Sequence, residues 1–157
     1  GGRGGPVGGY GADAATLAEI DAAAELTFDS GKEKAFTGIA ERSHLSGRAQ
    51  AYLVKKAMRS LTFDDAKRDV LLALVNNPYF VAEGKRAVLA HLDALTFDSG
   101  KQRVLEVINR RGYVPSEWEL YRQLEQLEPD TPAEMPADGA VQMETSIEME
   151  TGLVTEL

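Results

Sequence analysis

The sequence predicts an all-α protein: three repeated helix pairs with a period of 34–35 residues, forming a short α-solenoid or compact helical array, plus a C-terminal capping helix. Three observations lead there. The heptapeptide Leu-Thr-Phe-Asp-Ser-Gly-Lys occupies residues 26–32, returns as Leu-Thr-Phe-Asp-Asp-Ala-Lys at 61–67, and recurs in its first form at 95–101. The spacings of 35 and then 34 residues match the length of a helix pair with its turns. Each copy opens a run whose apolar residues recur at helical intervals, and a last segment carries a start signal at Ser116 with Glu119 and a stop at Pro129.

The heptapeptide reads as a helix start. A Thr hydroxyl can accept a bond from an orphan N–H, and the following carboxylates suit the positive end of the helix dipole, so Thr27, Thr62 and Thr96 are the expected N-caps. A competing frame starts one turn later, with capping boxes Ser30–Glu33 and Ser99–Gln102, but the middle copy breaks it because Asp65 is followed by Arg68. In the favoured frame Phe28, Phe63 and Phe97 open buried stripes: Phe28, Gly31, Ala35, Phe36 and Ile39; Phe63, Ala66, Val70, Leu71 and Leu74; Phe97, Gly100, Val104, Leu105 and Ile108. The small residue at Gly31, Ala66 and Gly100 then implies close approach of a neighbouring helix backbone.

In chain order, residues 1–11 hold seven glycines and a proline and read as a flexible linker. The helical repeat domain follows over 12–128 and an acidic, disordered tail over 129–157. A first, Ala-rich helix is expected over 13–25, with Leu17, Ile20 and Ala24 on one face. The second runs over 28–42, and the third over 46–60 with Leu53, Val54, Ala57, Met58 and Leu61 inward. The fourth, 63–75, holds the run Val-Leu-Leu-Ala-Leu-Val and is expected at the centre as the most buried, ending at Asn76-Asn77-Pro78. The fifth spans 80–94 with Val88, His91, Leu92 and Leu95 on one face, and the sixth spans 97–111 before Gly112. The seventh, 117–127, presents Leu120, Leu124 and Leu127 and is placed over the exposed end of the last repeat.

Composition narrows the chemistry. The chain has no Cys, so disulfides and thiolate metal sites are excluded, and no apolar stretch approaches the roughly 18 residues of a membrane span. Seven acidic residues and no Lys or Arg lie from Pro129 onward, so the body before it is nearly neutral, which argues against nucleic acid as the main partner. No G-x-x-x-x-G-K-[ST] loop, calcium loop, nucleophile elbow or zinc-binding helix is present. His91, without a second His or Cys nearby, reads as a structural core residue. No catalytic residue, cofactor or metal is expected. Lys32, Lys67 and Lys101 recur in the first turns of three equivalent helices and could line an edge that holds an anion or acidic peptide beside the helix starts.

From about residue 35 to 111 the chain resembles an uncharacterised bacterial domain-of-unknown-function family, whose members repeat Ser/Thr-Phe-Asp/Ser-Ser/Asp-x-Lys/Arg at helix starts, as at 62–67 and 96–101 here. The resemblance implies a small helical domain appended to exported or envelope proteins, with no assigned activity. The functional expectation is a non-enzymatic helical repeat module for protein–protein interaction or scaffolding, part of a larger bacterial protein, with a protein or peptide partner. The alternative is a regulatory accessory domain binding a small anionic ligand or acidic peptide at the aligned helix N-termini.

Overall fold

A computed structural model of the chain describes residues 8–127, with side chains from 13 to 126. Among the described residues the elements are α1 (Gly8–Ala24), α2 (Asp29–Ala40), α3 (Gly47–Ser60), α4 (Asp64–Val75), α5 (Ala82–Ala90), a 3-10 turn at Leu92–Ala94, α6 (Asp98–Arg111) and α7 (Glu117–Leu127), with no strand. Helices α1, α3 and α5 pack side by side in one layer and α2, α4 and α6 in the other. The fold is thus the expected all-α array. It divides into two compact units, the first ending at Glu117 and the second beginning at Trp118.

The helix limits follow local chemistry. Ser46 caps α3, its Oγ accepting from the Ala49 N–H at 3.0 Å. Helix α6 stops at Gly112, whose φ of +79° only glycine adopts readily. Helix α1 starts at Gly8, so residues 8–11, expected as linker, are helical instead. Extending a helix already nucleated by the Ala-rich segment gains one hydrogen bond for each further residue fixed, without a new nucleation cost. Residues 1–7 and the expected acidic tail over 129–157 lie outside the described residues.

Helix α5 is shorter than expected at both ends. Phe80 and Val81 fall before it because Gln50, fully buried on α3, takes the Val81 N–H on its Oε1 and donates Nε2 to the carbonyls of Leu45 and Tyr79. At the far end His91 is its C-cap, half-buried, with Nδ1 2.9 Å from the Ala87 carbonyl. A carbonyl only accepts, so Nδ1 carries the proton and the ring closes the helix. Gln50 also explains Gly84: a Cβ there would fall on the Gln50 amide oxygen and 3.1 Å from the Phe80 ring.

The core contains Ile20, Phe36, Leu53, Val54, Leu71, Leu74, Phe80, Val88 and Val104. Helix α4 is central in its layer, but α3 supplies more buried residues, Gly47, Ala49, Gln50, Leu53, Val54, Ala57 and Met58, so the most buried helix is not the one expected. The run on α4 is more apolar, yet α3 packs more extensively against its flanking helices α1 and α5 than α4 does against α2 and α6. The ends of the second layer are tied from repeat to repeat. Asn77 donates from Nδ2 to the carbonyls of Ala40 and Arg42, and Arg111 donates to those of Val75 and Pro78. These bonds satisfy carbonyls that a helix terminus leaves without intrahelical partners.

Within the second unit, the Arg122 guanidinium lies 4.7 Å from the centre of the Trp118 ring, one turn away along α7.

Candidate functional site

The heptapeptide boxes meet along one edge, at the starts of α2, α4 and α6. In every copy the N-cap is the Phe and not the Thr: Phe28, Phe63 and Phe97 have extended backbones, φ −110°, −101° and −105°, and make no side-chain cap bond. Helix therefore begins at the Asp. Starting the helix there leaves the Phe outside the regular turn of about 100° per residue that the predicted stripe assumed. All three rings point to solvent, 74, 67 and 65% exposed, which overturns their expected burial.

What holds the boxes together is the Asp. Asp29 accepts from the N–H groups of Thr62 and Phe63, at 2.9 Å each from Oδ2, and Asp64 does the same for Thr96 and Phe97, at 3.0 and 2.8 Å. Each carboxylate thus satisfies the amides that open the helix of the following repeat. The Thr96 and Phe97 amides hold the Asp64 carboxyl below the ordinary carboxylate range. The lysines add a second tie. Lys32 Nζ donates to the Ser60 carbonyl at 2.8 Å and Lys67 Nζ to that of Ala94 at 2.9 Å, each the residue just before the next box.

Lys32, Lys67 and Lys101 do stand at equivalent helix starts, but two of the three ammonium groups are engaged by carbonyl oxygens. Lys101 has no such partner among the described residues, because no fourth box follows it.

The small residue of each box serves its own Leu. A Cβ on Gly31 would lie 3.6 Å from the Leu26 side chain, and one on Gly100 would lie 3.5 Å from Leu95, both ordinary contacts. No neighbouring backbone comes close there, contrary to expectation, and Ala66 shows that the methyl fits.

At the start of α3 a shallow concavity of about 590 Å³ is lined by Gly47, Arg48, Ala51, Glu83, Arg86 and Glu117 among others. Glu117 accepts from the Gly47 N–H at 3.0 Å. Burial, reinforced by the nearby charges of Glu83 and Asp13, raises the Glu117 carboxyl above its ordinary value despite that bond. Among the described residues no group of His, Cys, Asp and Glu could hold a metal ion, and no helix is long and apolar enough to cross a membrane.

Sequence reasoning did not place the Phe row at the surface or the Asp across the repeat boundary. A usable signal existed: the Leu-Thr-Phe segment precedes the Asp in all three copies, and Asp at a first helical position also suits the dipole. Compared with protein-family models, curated proteins and solved structures, the chain matches none of them.

Proposed function

We propose that this chain is a non-enzymatic helical repeat module that binds a protein or peptide partner through the row formed by Phe28, Phe63 and Phe97. The supporting observation is that all three rings are largely in solvent while the rest of each box serves the fold. Asp and Lys tie repeats together and Leu61 and Leu95 are buried, whereas the rings have no comparable internal task. The middle copy differs from the others at two box positions, Asp65 and Ala66, and keeps its Phe.

Neighbouring packed helices lie about 8–10 Å apart, so the row offers apolar contacts at roughly that interval. A partner helix presents side chains at i and i+7 with a rise of about 10.5 Å, a compatible spacing. Aromatic residues, Phe among them, are enriched in protein interfaces relative to the rest of the surface. An anion at the lysines is the weaker reading, since Lys32 and Lys67 already donate to carbonyl oxygens.

The test is a selection of displayed helical peptides on the parent chain, followed by binding to a variant carrying Phe28→Ser, Phe63→Ser and Phe97→Ser. The expected result is enrichment of peptides with apolar residues seven apart and loss of their binding in the variant, with its melting temperature nearly unchanged. Selected peptides that bind the variant as well as the parent would refute the reading.

A further inference from the structure

The two ends of the array are chemically complementary. At the C-terminal end, Asp98 and Lys101 repeat the groups with which Asp29, Asp64, Lys32 and Lys67 grip the following box, yet neither has a partner among the described residues. At the N-terminal end the first box offers what such groups take: the N–H groups of Thr27 and Phe28 and the carbonyl of Glu25, which also have no partner there among the described residues. Donors and acceptors left over at one end correspond one for one to those left over at the other.

Apolar groups repeat the pattern. Leu61 and Leu95 are 4 and 1% exposed where a preceding repeat covers them, whereas their counterpart Leu26 is 44% exposed. Phe36 and Leu71 are fully buried under a following repeat, whereas their counterpart Leu105 is 45% exposed. Beside Leu26 lies a concavity of about 390 Å³ with Ala23, Ala35 and Ile39 in its walls and Glu19 and Arg42 at its rim. Ala35, half-buried here, is the counterpart of Val70, which is buried inside the array.

We propose that a second copy of this chain docks end to end, the α6 face of one against the α1–α2 face of the next, so that Leu105 enters the concavity beside Leu26 while Asp98 and Lys101 take the backbone groups of the first box. Such a contact joins unlike surfaces, so a docked pair still presents one free face of each kind and association continues past the dimer. It uses surfaces other than the exposed rings and is independent of what the Phe row binds.

Sedimentation of the full chain over a broad concentration series tests this. The average mass is expected to climb past that of a dimer. Leu26→Glu and Leu105→Glu each disable one face and are expected to remain monomeric alone. Mixed in equal amounts they are expected to form a heterodimer and nothing larger, because each keeps one working face. Circular dichroism establishes that the variants fold. If one does not, Asp98→Ala at an exposed helix start replaces it, with association weakened about tenfold by loss of a charged acceptor. A parent chain that stays monomeric, a dimer that does not grow, single variants that associate like the parent, or Asp98→Ala with unaltered association would each overturn the proposal.

Discussion

Phe36 and Phe63 carry the same side chain and call for opposite outcomes on truncation. Phe36 is fully buried, so Phe36→Ala is expected to destabilise by about 3–5 kcal/mol, whereas Phe63→Ala at an exposed N-cap is expected to fall within about 0.5 kcal/mol of the parent in thermal melts. Gly84 is the glycine with no room for a side chain, and Gly84→Ala is expected to cost about 1–3 kcal/mol because Gln50 must give up its bonds or α5 must shift. Glu117 has a folded-state pKa above its unfolded one, so the folded protein binds more protons in that window and stability falls as pH rises through it. Glu117→Gln removes this effect while its amide oxygen still accepts from Gly47. It is expected to stabilise at neutral pH by less than about 1 kcal/mol, solvent screening limiting the gain, with the advantage vanishing in acid.

The helix pair is the unit on which the box acts. Gly100 lies in the first turn of α6 with space for a methyl, so Gly100→Ala is expected to stabilise by about 0.5–1 kcal/mol through helix propensity alone. A loss of stability in chemical denaturation would show that the contact with Leu95 is tighter than it looks. Asp64 and Asp98 occupy the same position in successive helices, but only Asp64 reaches a following box. Asp64→Ala is therefore expected to lower the melting temperature clearly more than Asp98→Ala. The depressed pKa of Asp64 adds a signature: its contribution is present above the ordinary Asp pKa and disappears as pH falls through the lower folded value. The difference between the two variants should accordingly shrink in acid below about pH 4.

Over the whole array, each repeat packs chiefly against its neighbours, so local stability depends on how many neighbours a helix has. Helices α3 and α4 are flanked on both sides, while α1 and α2 begin the stack and α5 and α6 end it. Amide hydrogen exchange under native conditions is expected to be slowest in α3 and α4 and faster toward both ends; uniform protection would mean that the array opens only as one cooperative block. If copies stack as proposed, protection at α2 and α6 should rise with protein concentration.

Much of this was legible in the chain itself. The repeat period, the seven helices and the limits of α7 rest on local signals, apolar spacing and stop residues such as Asn77-Pro78 and Gly112, and these act within a few residues of where they stand. The surface of the box did not follow from the same signals. A helix start displaced by one residue, from Phe to Asp, turned three expected core aromatics into an exposed row. The roles of Asp29, Asp64, Lys32 and Lys67 were settled by backbone groups 27 to 34 residues further along the chain, brought within hydrogen-bonding reach only by the stacking of one repeat on the next. Sequence determined that the pairs repeat; tertiary packing decided which side of the repeated box closes the array and which is left in solvent, because both depend on a neighbour that no local pattern describes.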